Sequence, residues 1–283
     1  MLLLPLRLMS RLPLAVLHGL GVVAGLVSYA LQPGLRAKAR GNLQAAGLYS
    51  RALAWRSAAE AGKGVLEMPY IWFRPDATLR KRTDSTALER AEREHRDAAG
   101  RGIGSIYLTP HLGSFELSAR TYAMLAPITV LYKPPRREDL HAVLRAARSR
   151  PQLKAVTTDA GGVRALLRAL RQGQAIGVLP DQVPTAGEGT WAPFFGRLAF
   201  TMTLPARLVE RTAARVFIVA TRRRRLARGW TIEVRPVEGE PSPARINATV
   251  ESMIRAAPDQ YYWDYNRYKV PPGIERPDEV PAP

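Results

Sequence analysis

The chain contains no cysteine, which excludes a disulfide-stapled fold, a thiolate zinc site, an iron–sulfur cluster and a cysteine nucleophile together. Lysine is scarce. Only six of the 42 basic residues are Lys, and with 24 acidic residues the net charge is +18. An arginine surplus points to an anionic partner, because guanidinium forks match phosphate and carboxylate oxygens: nucleic acid, anionic lipid or an acidic protein. Disorder is excluded, since 46% of the 283 residues are hydrophobic, enough for a sizeable buried core. No internal repeat is visible, and low complexity is confined to a Pro-rich tail, residues 271–283.

Long uncharged runs are absent with one exception. Between Arg11 and Arg36 lie 24 residues without Lys, Arg, Asp or Glu. A bilayer core needs about 20 such residues as helix. Three readings compete: a membrane anchor that spans or lies in the interface, a cleaved signal peptide, and a buried core helix. Arg36, Lys38 and Arg40 follow at once, which favours an anchor with a cytoplasmic face for what comes after. The expected organisation is an anchor segment over residues 1–35, a single domain over 36–270, and the tail. Within the domain, 36–100 reads as helical and 101–270 as α/β.

From Gly104 short β-branched runs alternate with amphipathic segments. The pattern predicts strands over Ser105–Thr109, Ile128–Tyr132, Leu153–Thr157 and Ala175–Leu179, with helices over Ser114–Leu125, Glu138–Arg148 and Gly162–Arg171 between them. Strands separated by helices imply a mostly parallel central sheet flanked by helices. Arg215–Thr221 and Trp230–Arg235, joined by RRRRLARG, read as an antiparallel hairpin. In such sheets ligands bind outside the carboxyl ends of the strands, which says where chemistry belongs.

The first of these strands ends in Thr109-Pro110, followed by His111-Leu112-Gly113-Ser114-Phe115-Glu116. Proline stops the strand, Gly113 permits a tight turn and Ser114 suits a helix N-cap. His111 then stands on a loop at the carboxyl edge, with Glu116 in the first helical turn and expected to fold back beside it. A carboxylate on one imidazole nitrogen fixes the tautomer and raises the basicity of the other, giving a base for a hydroxyl. A capping serine beside a solvated His and Glu gives the same pattern.

The wider context separates the two. TPHLGSFE after a hydrophobic strand resembles the H-x₄-D/E block of the glycerolipid and lipid A acyltransferase superfamily. Further blocks in order are similar to those of one branch, the late lipid A acyltransferases: VLYKP at Val130–Pro134 with Lys133 where Arg is usual, Arg148 in AARSR, LPDQ at Leu179–Gln182, and WAPFFG at Trp191–Gly196. PDQYYWDYNRYK, from Pro258 to Lys269, is similar to the family's closing segment, with Tyr265 and Asn266 standing where His and Arg are common. The apolar N-terminal run and Asn42-Leu43 fit as well. The resemblance implies transfer of a fatty acyl chain from an acyl carrier protein to a hydroxyl of a lipid A precursor, at the cytoplasmic face of the inner membrane. It implies no cofactor and no metal. His111 would be the base, Glu116 its orienting partner, and Arg148 would face the oxyanion or a substrate phosphate. Lys133 has a phosphate-binding reading, though lysine cannot make the bidentate fork.

Asp181 and Gln182 stand at the same sheet edge, and either a polar role near the acceptor or a loop cap accounts for Asp181. Arg222–Arg225 reads as a solvated hairpin tip or as a contact for anionic lipid or carrier protein. Trp72, Phe73, Trp191, Phe194 and Phe195 suit a core or an acyl channel, and His18, His95 and His141 receive no role. Two rival readings remain. One is an acyltransferase of the same superfamily acting on another glycolipid or phospholipid. The other is a membrane-tethered nucleic-acid binder, which needs basic residues interleaved with stacking aromatics. No such interleaving is present, so no nucleic-acid partner is expected.

Overall fold

A computed structural model describes residues 2–135, 137–148 and 150–277; the last six residues of the Pro-rich tail lie outside the described residues. The N-terminal third is helical: α1 (Leu3–Met9), α2 (Leu14–Leu31), α3 (Pro33–Ala45), α4 (Arg51–Phe73) and α5 (Asp76–Arg80). A short strand β1 (Thr83–Asp84) leads to α6 (Thr86–Ala99). Alternating elements follow: β2 (Ser105–Leu108), α7 (Phe115–Tyr122), β3 (Ile128–Tyr132), α8 (Glu138–Arg148), β4 (Leu153–Thr157), α9 (Ala160–Arg171) and β5 (Ala175–Val178). The remainder comprises a hairpin β6 (Gly189–Phe194) and β7 (Arg197–Met202), then α10 (Leu204–Thr212), a second hairpin β8 (Arg215–Arg223) and β9 (Trp230–Pro236), and α11 (Pro243–Ala256).

Seven strands form one sheet in the order β1-β9-β8-β2-β5-β3-β4, in which only β8 and β9 run antiparallel. The expected mostly parallel α/β sheet flanked by helices is the fold of this chain. All residues of β2 and β5 are buried, as central strands covered on both faces must be. Neighbouring β2 and β5 are in register, Leu108 opposite Val178, so both chains leave the sheet at one edge. Three helix starts follow the capping chemistry of their sequences, whereas Ser114 at the start of α7 makes no side-chain cap bond. Ser50 accepts from the Leu53 N–H, Asp159 from the Gly162 N–H and Ser242 from the Arg245 N–H.

The apolar run forms α2, the one helix among the described residues long and apolar enough to cross a membrane. It is joined to the body along one face. Leu14, Leu17, His18, Gly21 and Tyr29 are buried, and Leu14 and Leu17 share a cluster with Tyr70, Ile71, Leu117 and Trp230. The axes of α2 and α4 approach closely because both carry glycine at the crossing: a Cβ on Gly62 would lie 2.0 Å from the Gly21 carbonyl oxygen. The opposite face of α2, with Val16, Leu20, Val23, Val27 and Leu31, is exposed. The expected boundary at residue 35 falls inside α3.

Candidate active site

Three residues past Leu108, the chain reaches His111; three residues past Val178, it reaches Asp181. The matched register of β2 and β5 brings them together. One Asp181 carboxylate oxygen accepts the His111 backbone N–H at 2.8 Å, and the other lies 2.8 Å from ring Nδ1. With Nδ1 donating to Asp181, Nε2 carries the lone pair and faces a cleft, with the Gln182 side-chain amide 3.4 Å away. The cleft, about 200 Å³, runs between α4 and the His111 loop and is lined by Glu67, Met68, Ile71, Phe115 and Tyr262 among others.

Burial disfavours a charged His111 ring, yet its pKa is held above the ordinary 6.5 by the charge and hydrogen bond of Asp181 and, more distantly, by Glu116. Asp181 is the complementary case: its pKa is lowered, because the charge and hydrogen bonds of His111 and the buried Arg267 guanidinium outweigh a burial that alone would raise it. The two oxygens of Asp181 meet two donors of one histidine, which fixes both loop position and tautomer.

The loop is anchored on every side. Gly113 adopts φ +65°, and a Cβ there would lie 2.0 Å from the Thr221 carbonyl oxygen, so no other residue fits. Its N–H donates to the Gln260 carbonyl at 2.9 Å, and the Tyr262 N–H donates to the His111 carbonyl at 3.1 Å. Ser114 donates its hydroxyl to Glu67, a buried carboxylate that also receives Arg223 Nε at 2.8 Å, Trp230 Nε1 at 3.3 Å and, at 2.9 Å, His18 Nε2. Burial would raise the Glu67 pKa, but Arg223 and His18 bring it below its ordinary value.

The expectation that Glu116 folds back onto His111 is corrected. The ring nitrogen belongs to Asp181, and Glu116 instead accepts Arg148 Nη2 at 2.7 Å and Trp72 Nε1 at 3.2 Å. In the first turn of α7, its side chain meets the C-terminal ends of α4 and α8, which supply these donors. Arg148 also stacks over the Tyr132 ring at 5.2 Å. The Glu116–Arg148 pair stands where the cleft adjoins a smaller apolar cavity lined by Val130, Leu131, Ala147, Leu153 and Val178. Lys133 is exposed at the end of β3, outside the lining of the cleft. The basic tip is corrected too: β8 runs to Arg223, and strand alternation turns that side chain inward to Glu67 and Glu60, while Arg222 pairs with Glu233 at 3.2 Å. Phe194 and Phe195 are core residues, whereas Trp72 borders the smaller cavity.

Glu67, Arg223 and His18 were not singled out as a group by the sequence. The available signal is a glutamate on the otherwise apolar side of α4 and a histidine in the apolar run, two buried polar groups that need each other. The closing segment, to which the sequence assigned no place, reaches the site: Gln260, Tyr261 and Tyr262 line the cleft, and Asn42 ties it to α3 by donating to the carbonyls of Trp263 and Tyr265 at 2.6 and 2.8 Å.

The family described as bacterial lipid A biosynthesis acyltransferase matches residues 4–270. The chain is 26% identical over 218 residues to the lipid A biosynthesis palmitoleoyltransferase of Escherichia coli (strain K12), covering 75% of this chain and 69% of that protein. It is 25% identical over 229 residues to the lipid A biosynthesis lauroyltransferase of the same organism, covering 78% and 71%. A lipid A biosynthesis acyltransferase of Haemophilus influenzae is 25% identical over 201 residues, covering 68% and 61%.

Proposed function

The chain belongs to the bacterial lipid A biosynthesis acyltransferase family, and from that premise we propose that it moves a fatty acyl chain from an acyl carrier protein thioester to a hydroxyl of a lipid A precursor, at the cytoplasmic face of the inner membrane. The observation that carries the reading is His111, which lines the cleft with Nδ1 on a buried carboxylate and the displaceable Gln182 amide near Nε2. The acceptor hydroxyl gives its proton to Nε2 as its oxygen attacks the thioester carbonyl carbon. The tetrahedral adduct collapses, the carbon–sulfur bond breaks, and the imidazolium returns the proton to the departing thiolate. Asp181 stabilises the transient imidazolium and holds the reactive tautomer.

Glu116 and Arg148 act as a pair: each neutralises the other, and together they form the wall between the cleft and the apolar cavity. The apolar side chains of that cavity suit the first carbons of the acyl chain. Gln182 donates to Nε2 in the resting enzyme and is displaced by the incoming hydroxyl. Lys133, exposed nearby, suits a substrate phosphate. The net charge of +18 suits an acidic carrier protein, whose approach it would steer.

Deleting the gene and weighing lipid A by mass spectrometry tests the reading. Loss of one secondary acyl chain, restored by the wild-type gene but not by a His111→Ala copy, is expected. Unchanged lipid A contradicts it and moves the acceptor to another glycolipid.

A further inference from the structure

The turn between β8 and β9 presents a leucine to solvent in an unusual way. Leu226 is 83% exposed and adopts φ +56°, ψ +36°, a left-handed conformation that bulky side chains rarely occupy, and Ala227 follows at φ +53°. Such strain persists only where the surroundings impose it. Here Ala227 packs against the buried cluster that contains Leu14 and Leu17 of α2 and Trp230, and the turn of residues 225–227 contacts α2. Leu226 is thereby pushed outward beside α2, between exposed Arg224, Arg225 and Arg228.

Leu4 and Leu8 of α1 and Leu12 of the turn that follows it are exposed as well, with exposed Arg7 and Arg11 beside them in the chain. Exposed apolar side chains therefore occur along two successive helices, with a leucine-tipped basic turn packed against the second. Apolar side chains ringed by exposed arginines match one partner: acyl chains beneath anionic headgroups.

Length alone allows α2 to cross a bilayer, since its 18 residues extend about 27 Å. Its packing argues otherwise. Gly21, near the helix midpoint, lies against the backbone of Gly62 and Lys63. Glu60, Lys63, Glu67 and Arg223 accompany that stretch of α4. A crossing helix would bring these ionised groups to the depth of the hydrocarbon midplane, where they are costly, or would break the His18–Glu67 contact.

We infer that α1, the outer face of α2 and the Leu226 tip form one surface that seats the enzyme in the plane of an anionic bilayer, with Leu226 inserted and α2 lying in the interface. This rests on the membrane-side reading above, but it concerns binding and topology, which are measured without any acyl transfer.

Two experiments use the full-length protein, whose lack of cysteine makes single-cysteine labelling clean. In the first, wild type and Leu226→Gly are partitioned onto vesicles of phosphatidylethanolamine with phosphatidylglycerol, and onto phosphatidylcholine alone. Glycine accepts the left-handed conformation, so the fold is kept. Burying one leucine is worth about 10- to 100-fold in partitioning, so Leu226→Gly should bind the anionic vesicles at least about tenfold more weakly. Wild type should prefer the anionic vesicles. A dye on Leu226→Cys should shift to the blue on binding. Equal binding by the two proteins, or a normally binding Leu226→Gly that loses only transfer from a carrier-bound donor, overturns the inference and makes the tip a carrier contact in the second case. In the second experiment, Arg11→Cys and Arg36→Cys, which flank α2, are exposed to a membrane-impermeant maleimide in sealed inside-out vesicles. Labelling of both supports the in-plane helix. Labelling of one alone means that α2 crosses, and overturns it.

Discussion

Asp181→Asn changes two atoms' worth of chemistry and keeps the shape. In the native site both carboxylate oxygens accept, one from the His111 backbone N–H and one from ring Nδ1. Asparagine has a single acceptor. The backbone N–H cannot become anything but a donor, so the amide oxygen turns to it and the NH₂ group faces the ring. Nδ1 must then accept, the ring proton moves to Nε2, and the base is lost. The charge that stabilises the imidazolium is lost with it. General-base assistance contributes about 10²- to 10⁴-fold, or about 3–5 kcal/mol of barrier, and the variant should lose most of it. The pH profile gives a second reading. A base works when neutral, so wild-type kcat/KM falls as pH drops through a His111 pKa that stands above 6.5. Without Asp181 burial acts with less opposition, and the acid limb moves to lower pH while the plateau collapses. Stability follows from the same shifts. The raised His111 contributes below pH 6.5 and is lost as pH rises through its folded pKa; the lowered Asp181 contributes above its ordinary 3.8 and is lost as pH falls through its folded pKa. The destabilisation by Asp181→Asn is therefore largest between these limits. The assay is steady-state transfer from pH 5 to 9 with denaturant melts alongside. Activity within about threefold of wild type, or an unmoved acid limb, would refute the reasoning.

Gly113→Ala should lower both stability and activity, by about 1–3 kcal/mol or more for the strained φ and the clash with the Thr221 carbonyl, read as a fall in Tm with kcat. Glu116→Gln and Arg148→Ala should be strongly non-additive, with a coupling of about 0.5–3 kcal/mol in a double-mutant cycle on kcat/KM, because the two groups bond at 2.7 Å; additive losses would mean that they act separately. Glu67→Gln removes the nearer of the two carboxylates beside the buried Arg223 guanidinium, leaving Glu60 at 3.4 Å and the Gly113 carbonyl, and should cost several kcal/mol near neutral pH. Because the Glu67 pKa is lowered from 4.5, that stability is present above pH 4.5 and disappears as pH falls through the folded value, so urea melts should show a smaller penalty in acid.

Periodicity placed the sheet well. The strands Ile128–Tyr132 and Leu153–Thr157 and the helix Glu138–Arg148 stand where alternation and spacing put them. The hairpin of β6 and β7 was not read, because Pro193 interrupts its first strand and the aromatic block looked like a motif instead of a ladder. Its turn is Phe195-Gly196, both with positive φ, and Gly196 was the available signal in the sequence. At the site, His111 was legible from the strand–proline–loop grammar. Its partner was not, because a carboxylate five residues away is visible in one dimension and one seventy residues away is not. The exchange of Glu116 for Asp181 depends on β5 lying beside β2 in matched register, and strand order is written in no local pattern. Arg223 was hidden for a related reason: whether a basic residue at a hairpin end faces water or the interior turns on one more residue of strand.

The central claim is that His111 is the base of an acyl transfer onto a lipid A precursor. Purified wild type and His111→Ala, matched for melting temperature, should be given acyl carrier protein loaded with a fatty acyl chain and a lipid A precursor in detergent, and the acylated product weighed. The account predicts product from wild type and a loss of at least about 10²-fold in His111→Ala. A folded His111→Ala enzyme that transfers at close to the wild-type rate would contradict it.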